Sequence, residues 1–130
     1  MRHISYNKYG NTKVKTQNGT FASVKEYRRH CELKLLERAG QITDLQTQVS
    51  FELIPAQYET FERYGKRGQR LKDGKRCIEK SVKYVADFVY TENGKQVVED
   101  AKSTATKKKE SYIIKRKLML HRHNIRVKEV

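Results

Sequence analysis

The stretch Tyr84-Val85-Ala86-Asp87-Phe88-Val89-Tyr90-Thr91-Glu92-Asn93-Gly94-Lys95-Gln96-Val97-Val98-Glu99-Asp100-Ala101-Lys102 decides how the rest of the chain is read. Two runs rich in β-branched and aromatic residues flank Asn93-Gly94. Asn-Gly in that setting is the strongest short hairpin signal, because both residues tolerate the positive φ of a two-residue turn. The pattern predicts two antiparallel strands, within residues 78–90 and 96–103. In the first, Asp87 is a carboxylate inside an otherwise apolar run, and burying a lone charge is costly unless a cation or hydrogen bonds compensate. In the second, Asp100 and Lys102 stand two residues apart and so share a face, with Glu99 and Ala101 on the other. A β-bulge would exchange those faces and put Glu99 in the place of Asp100.

Working upstream, Ser23-Val24-Lys25-Glu26 carries a helix start: Ser23 can cap the orphan amides while Glu26 reaches back in a capping box. The helix should run to about Ala39, with Gly40 taking the left-handed conformation that stops it. Val24, Tyr27, Cys31 and Leu35 form one apolar stripe, with Leu33 and Leu36 off it. From Ile42 to Ile54 the apolar spacing shifts towards two and ends at Pro55, which reads as a strand. Residues 56–75 hold Gly65, Gly68 and Gly74 among basic residues without periodicity, which reads as an exposed basic loop or flap insertion, or a loosely formed extension, and as a candidate substrate-contacting flap. Residues 1–20 are polar and read as a basic N-terminal arm, ending in a turn or short hairpin around Asn18-Gly19 and adding little core.

Downstream, residues 107–122 contain no Gly or Pro and are rich in good helix formers, so a second helix is expected, broken at Asn124. Ile125-Arg126-Val127-Lys128-Glu129-Val130 alternates apolar and charged residues as a half-buried terminal strand does. The order helix, strand, two-stranded hairpin, helix, strand describes an α/β domain over residues 21–130, with helices flanking a mixed sheet.

Length and charge narrow the function. At 130 residues the chain supports a single core and excludes a multidomain machine. Lys and Arg number 29 against 15 Asp and Glu, a formal charge of +14. A charge so lopsided is best tolerated beside a polyanion, which makes nucleic acid or an anionic membrane surface the leading partner classes. No run approaches the roughly 18 apolar residues of a spanning helix, and Met1-Arg2-His3-Ile4-Ser5 lacks the apolar stretch of a signal peptide. The expectation is a soluble, cytoplasmic protein. Cys31 and Cys77 lack C-x-x-C spacing, so neither a disulfide framework nor a zinc knuckle is expected, and Cys31 is placed in the core.

The hairpin carboxylates suggest chemistry. Asp87 and Asp100, converging across the turn, would form a hard-oxygen site suited to Mg²⁺ or Mn²⁺, with the Ala101 carbonyl as a further oxygen donor. Such an ion polarises a phosphodiester and activates water, and Lys102 could orient that water or stabilise charge developing on phosphorus. Glu26 could complete the site. Each residue also has a plainer reading: Glu26 as a capping residue, Asp87 as a structural carboxylate, Asp100 and Lys102 as a solvated strand face.

Glu26 on the first helix, then Asp87, then Asp100-x-Lys102 resembles the PD-(D/E)XK nuclease superfamily, whose core is a helix, three strands, a helix and a strand. Phe21-x-Ser23-x-x-Glu26, Leu35-Leu36-Glu37-Arg38-Ala39-Gly40, Leu45-x-x-Gln48-Val49-x-Phe51, Ala86-Asp87-Phe88 and Val98-Glu99-Asp100-x-Lys102 look like a phage-borne branch of it. Alanine stands where the superfamily has proline before Asp87, and Ser103 where the branch usually has glycine. The resemblance implies a restriction-endonuclease-like core and a metal-dependent endodeoxyribonuclease. It makes Asp87 and Asp100 metal ligands, Lys102 the catalytic lysine and Glu26 the helix carboxylate. Branched DNA such as a Holliday junction, processed in phage recombination within the host cytoplasm, is the implied substrate class, and a homodimer fits that plan.

Lys107, Lys108, Lys109, Lys115 and Arg116 read as a phosphate-contacting face, which Arg28 and Arg29 could extend, or as a solubilising run. Tyr58, Phe61 and Tyr64 could stack on unpaired bases or pack their segment onto the core. A basic module that binds nucleic acid without cutting it is the rival reading of the chain.

Overall fold

The computed structural model describes residues 3–6, 12–16 and 19–130. Strands β1 (His3–Tyr6), β2 (Thr12–Thr16) and β3 (Gly19–Phe21) pair in that order as an antiparallel sheet. The pairing of β2 with β3 is the short hairpin expected near the end of residues 1–20, and the little core expected there is Val14, which is buried, as is Phe21 just beyond. One apolar residue between Lys13 and Lys15 is too short a pattern to reveal its strand. Asn18 of the expected turn lies outside the described residues, and Gly19, at φ +126, pairs with Thr16.

Helix α1 (Val24–Arg38) begins as its sequence requires. Ser23 Oγ accepts from the Glu26 amide at 3.1 Å, and Gly40 follows the helix at φ +76. Its inward face is not the expected stripe. Glu26, His30 and Leu33 are buried, whereas Cys31 is exposed and Leu35 is 63% exposed. Scoring apolar residues missed that face because two of its three members are polar side chains with partners in the core.

Strand β4 (Thr43–Ile54) ends at Pro55 as expected. The stretch 56–75, read as a loop or flap, instead builds a two-stranded antiparallel ribbon from β5 (Gln57–Tyr64) and β6 (Arg70–Glu79). Both faces of this ribbon meet solvent, so neither strand shows a hydrophobic period of two. Strands β7 (Val82–Glu92) and β8 (Lys95–Asp100) follow, with Glu92 opposite Lys95 and the turn at Asn93 (φ 52) and Gly94 (φ 75). Both turn residues have the positive φ that the Asn-Gly pair predicts. The expected run 78–90 is in fact broken at Lys80-Ser81.

One turn of helix, α2 (Thr104–Lys107), precedes α3 (Glu110–His123), which stops at Asn124 (φ 55). The terminal strand is only β9 (Lys128–Glu129), parallel to β8. The main sheet runs β4-β7-β8-β9, antiparallel over its first three strands, so the molecule is α/β with a mixed sheet.

Helices α1 and α3 cover opposite faces. Leu33 packs with Ile42, Phe88 and Tyr90, and Val97 adjoins them. The neighbouring Val98 packs with Tyr84, Ala86, Tyr112 and Met119 on the other side. Among the described residues no helix is long and apolar enough to cross a membrane.

Candidate functional site

The edge strand β4 and its neighbour β7 lose their alternation at one level. In β7, Ala86 packs on the α3 side and Phe88 on the α1 side, although residues two apart normally share a face. In β4, Leu45 lies with the α1 cluster and Val49 with the α3 cluster. The slips fall at Asp87 and Gln48, which stand opposite each other between the pairs Thr47–Phe88 and Val49–Ala86. Gln48 has φ 53, a conformation that costs a side-chain-bearing residue about 1–2 kcal/mol. Such strain persists only where the surroundings impose it.

Around this irregularity the structure gathers the polar residues singled out from the sequence. Asp87 Oδ2 accepts from the Ala101 amide at 2.9 Å, just past the end of β8. Gln48 Nε2 donates to Glu26 Oε1 at 2.9 Å and lies 3.5 Å from Asp87 Oδ1, tying the helix carboxylate to the strand carboxylate. Glu26 Oε2 accepts from the Ala22 amide at 3.2 Å, one residue before the N-cap Ser23 whose amide a capping box would engage, so Glu26 ties the chain entering α1 as well as facing the site. Asp100 is completely buried, takes a short hydrogen bond from the Tyr84 hydroxyl, and has Lys102 Nζ 3.3 Å from its Oδ1. That Oδ1 has no hydrogen-bond partner. Lys25 Nζ donates to the Lys102 carbonyl at 2.9 Å and pins the first turn of α1 to the strand end.

Three carboxyls face one ammonium here, and the electrostatics follow. Burial, then the adjacent Asp100 and Glu26, pushes the Asp87 carboxyl up to about 8, against the Ala101 amide. Burial also raises Glu26, opposed by the Ala22 amide and reinforced by Asp100. Tyr84 is raised by burial and by its bond to Asp100, which keeps it a phenol that donates. Among the described residues no group of three or more His, Cys, Asp or Glu side chains is arranged to hold a metal unaided.

Glu99 points the opposite way. Fully buried, it accepts from Arg29 through both oxygens (Nη2 to Oε2, 3.0 Å) and from the Tyr90 hydroxyl at 2.6 Å. Glu32 takes the remaining Arg29 contact at 2.9 Å. Arg29, expected on a phosphate face, is therefore engaged inside the fold. Arg116 is drawn to Glu129 at 3.6 Å, and Lys115 is half-buried. Arg28, Lys108 and Lys109 are exposed, and Lys107 is half-buried. Gln48, Tyr84 and Lys25 went unread as site residues, because nothing short-range marks them: each acts on a group far away in sequence.

A groove of about 720 Å³ runs beside α1, lined by Tyr27, His30, Glu37, Leu45 and Thr47 among others, and none of the carboxylates just described opens into it. No curated protein and no solved structure matches the chain. The model of the family described as "Protein of unknown function (DUF1064)" matches residues 6–129, from the end of β1 to β9, and the chain belongs to that family.

Proposed function

We propose that this protein is a metal-dependent DNA endonuclease of the PD-(D/E)XK type, cutting phosphodiester bonds with Mg²⁺ or Mn²⁺. One observation carries the reading: Asp87, Asp100 and Lys102 converge at the end of β8 with Glu26 reaching in from α1. In support, with β5, β6 and the one-turn α2 set aside as insertions, the elements run α1, β4, β7, β8, α3, β9, the order expected of that superfamily. The donor set fits the ion. Asp100 Oδ1 is buried and engaged only by the Lys102 ammonium at 3.3 Å, with no hydrogen bond, and the adjacent Asp87 adds a second hard carboxylate. Mg²⁺ keeps several waters and takes one or two carboxylates plus substrate phosphate, so an all-protein cage is not required.

When bound, such an ion activates water and draws charge from the phosphoryl oxygens. The chain's own residues prepare the site. Tyr84 orients Asp100, and the Ala101 amide orients Asp87. Lys102, beside Asp100, places an ammonium where charge develops on phosphorus. Glu26, held through Gln48, offers an acceptor to water at the site's edge. Branched DNA cut by two copies on symmetric strands, in phage recombination within the host cytoplasm, is the assignment we take from the resemblance.

The test incubates the protein with labelled four-way junction, flap, linear duplex and single-stranded DNA in Mg²⁺, Mn²⁺ or EDTA, beside Asp100→Asn. Metal-dependent nicking that the variant loses is the expected result. Binding without cleavage in either metal would leave a non-catalytic basic binding module.

A further inference from the structure

We infer that the β5–β6 ribbon is the arm by which this protein grips duplex DNA. The inference rests on the proposed DNA substrate, and it assigns binding to a segment outside the carboxylate site. The ribbon continues the β4–β7 hairpin: the ladder stops at Ile54–Val82, both strands break, and pairing resumes at Gln57–Glu79. Its root lies five residues along β7 from Asp87, about 17 Å at ~3.3 Å per residue and so about half a turn of duplex. The eight residues of β5 then carry it roughly 26 Å outward at ~3.3 Å per residue.

Nothing in the fold explains the ribbon as core. Every residue from Gln57 to Glu79 is exposed or half-buried. An isolated two-stranded hairpin is marginal in water, and this one is stiffened by cations over rings: Lys75 on Tyr58 and Arg76 on Phe61 at 4.4 Å each, Arg70 on Tyr64 at 5.7 Å. Phe61 pairs across the ribbon with Gly74, where a Cβ would come within 2.3 Å of the tip of its ring.

Charge identifies the occupant. Between positions 63 and 72 stand Arg63, Lys66, Arg67, Arg70 and Lys72 and no carboxylate. Only Arg70 has an acidic partner, Asp73. The remaining four cations are exposed, and among the described residues none has an acidic partner. Unpaired cations along a protruding ribbon suit a polyphosphate, and a two-stranded ribbon fits the roughly 12 Å major groove of B-DNA. The aromatic rings already carry cations on a face, so they are poor platforms for unpaired bases, which favours duplex over single strands.

The experiment measures fluorescence anisotropy of labelled duplex DNA in EDTA across a salt series, where cleavage cannot intervene. The parent is compared with Arg63→Ala/Lys66→Ala/Arg67→Ala/Lys72→Ala and with Lys107→Ala/Lys108→Ala/Lys109→Ala. Each phosphate contact contributes about 0.9 to the salt slope, so the ribbon variant should lose about 3–4 from the slope and about tenfold or more in affinity. A ribbon variant binding like the parent overturns the inference, as does a parent that prefers single strands or duplex RNA. Gly74→Ala, which displaces Phe61 without touching a charge, should also weaken binding if the ribbon acts as a shaped arm, and unchanged binding would count against it. If the ribbon variant loses duplex affinity while nothing cuts in Mg²⁺ or Mn²⁺, the ribbon assignment stands and the nuclease reading falls. If the parent cuts and the ribbon variant binds normally, the reverse holds.

Discussion

Strands β4 and β7 and strands β5 and β6 form successive halves of one long antiparallel hairpin, yet the two halves solve opposite problems. The inner half is sandwiched between α1 and α3, buries Tyr84, Ala86, Phe88 and Tyr90, and holds its carboxylates through hydrogen bonds. The outer half has no helix on either face and is kept in shape by its backbone ladder and three cation–ring contacts. Cover is what separates them. In a low-dielectric interior a carboxylate needs partners and can be tuned, whereas in water a cation stays hydrated and available.

Four measurements press on that contrast. Phe88→Ala should cost about 3–5 kcal/mol by denaturant unfolding, since its ring is fully buried, whereas Tyr58→Ala on the ribbon should cost under about 1 kcal/mol. Equal losses would mean that the ribbon is part of the cooperative core. Arg29→Ala leaves Glu99 buried without its cation and should cost about 3 kcal/mol, with partial recovery in Arg29→Met/Glu99→Met, where no charge is stranded. Arg70→Ala, whose partner Asp73 is half in water, should scarcely move the midpoint.

On the proposed nuclease reading, Gln48→Gly should lower metal-dependent cleavage about tenfold, as loss of a residue orienting the proposed ligands would, while its melting temperature holds or rises because glycine is at ease at φ 53. A fall in both would mark Gln48 as merely structural. The smallest effect belongs to His30, packed between Phe21 and Phe88. Burial, then Lys34, lowers its folded pKa below the usual 6.5, so its contribution to stability is complete above that value and is lost as pH falls through the folded pKa. The melting temperature should therefore drop on acidification from neutrality, and His30→Gln should flatten part of that drop. An identical pH profile in the variant would place the imidazole in solvent.

The parts legible in the sequence were those with local causes. Ser23 capping α1, Pro55 ending β4, Asn93-Gly94 turning β7 into β8 and Asn124 closing α3 each act within a few residues, through backbone dihedrals or a single hydrogen bond. The opposite facing of Glu99 and Asp100 is local in the same sense, because alternation along β8 separates them, whereas Lys102 reaches Asp100 from just beyond the strand end. The ribbon was misread as a loop because its strands bury nothing, so no hydrophobic period records them. Cys31 and Leu35 were misplaced because the inward face of α1 is chosen by Asp87, Gln48 and Phe88, which lie elsewhere in the chain.

The sequence by itself therefore determined the order of α1, β4, β7, β8, α3 and β9, the caps and turns that bound them, and the excess of positive charge. Only the tertiary structure decided that Gln48 lies against Glu26 and Asp87, that Tyr84 holds Asp100, that Arg29 is engaged by Glu99, and that residues 57–79 stand out as a ribbon. The physical reason is range. Dihedral preferences and capping bonds are settled among neighbours, but which polar group is desolvated, and beside what, depends on contacts across 14 to 70 residues of chain.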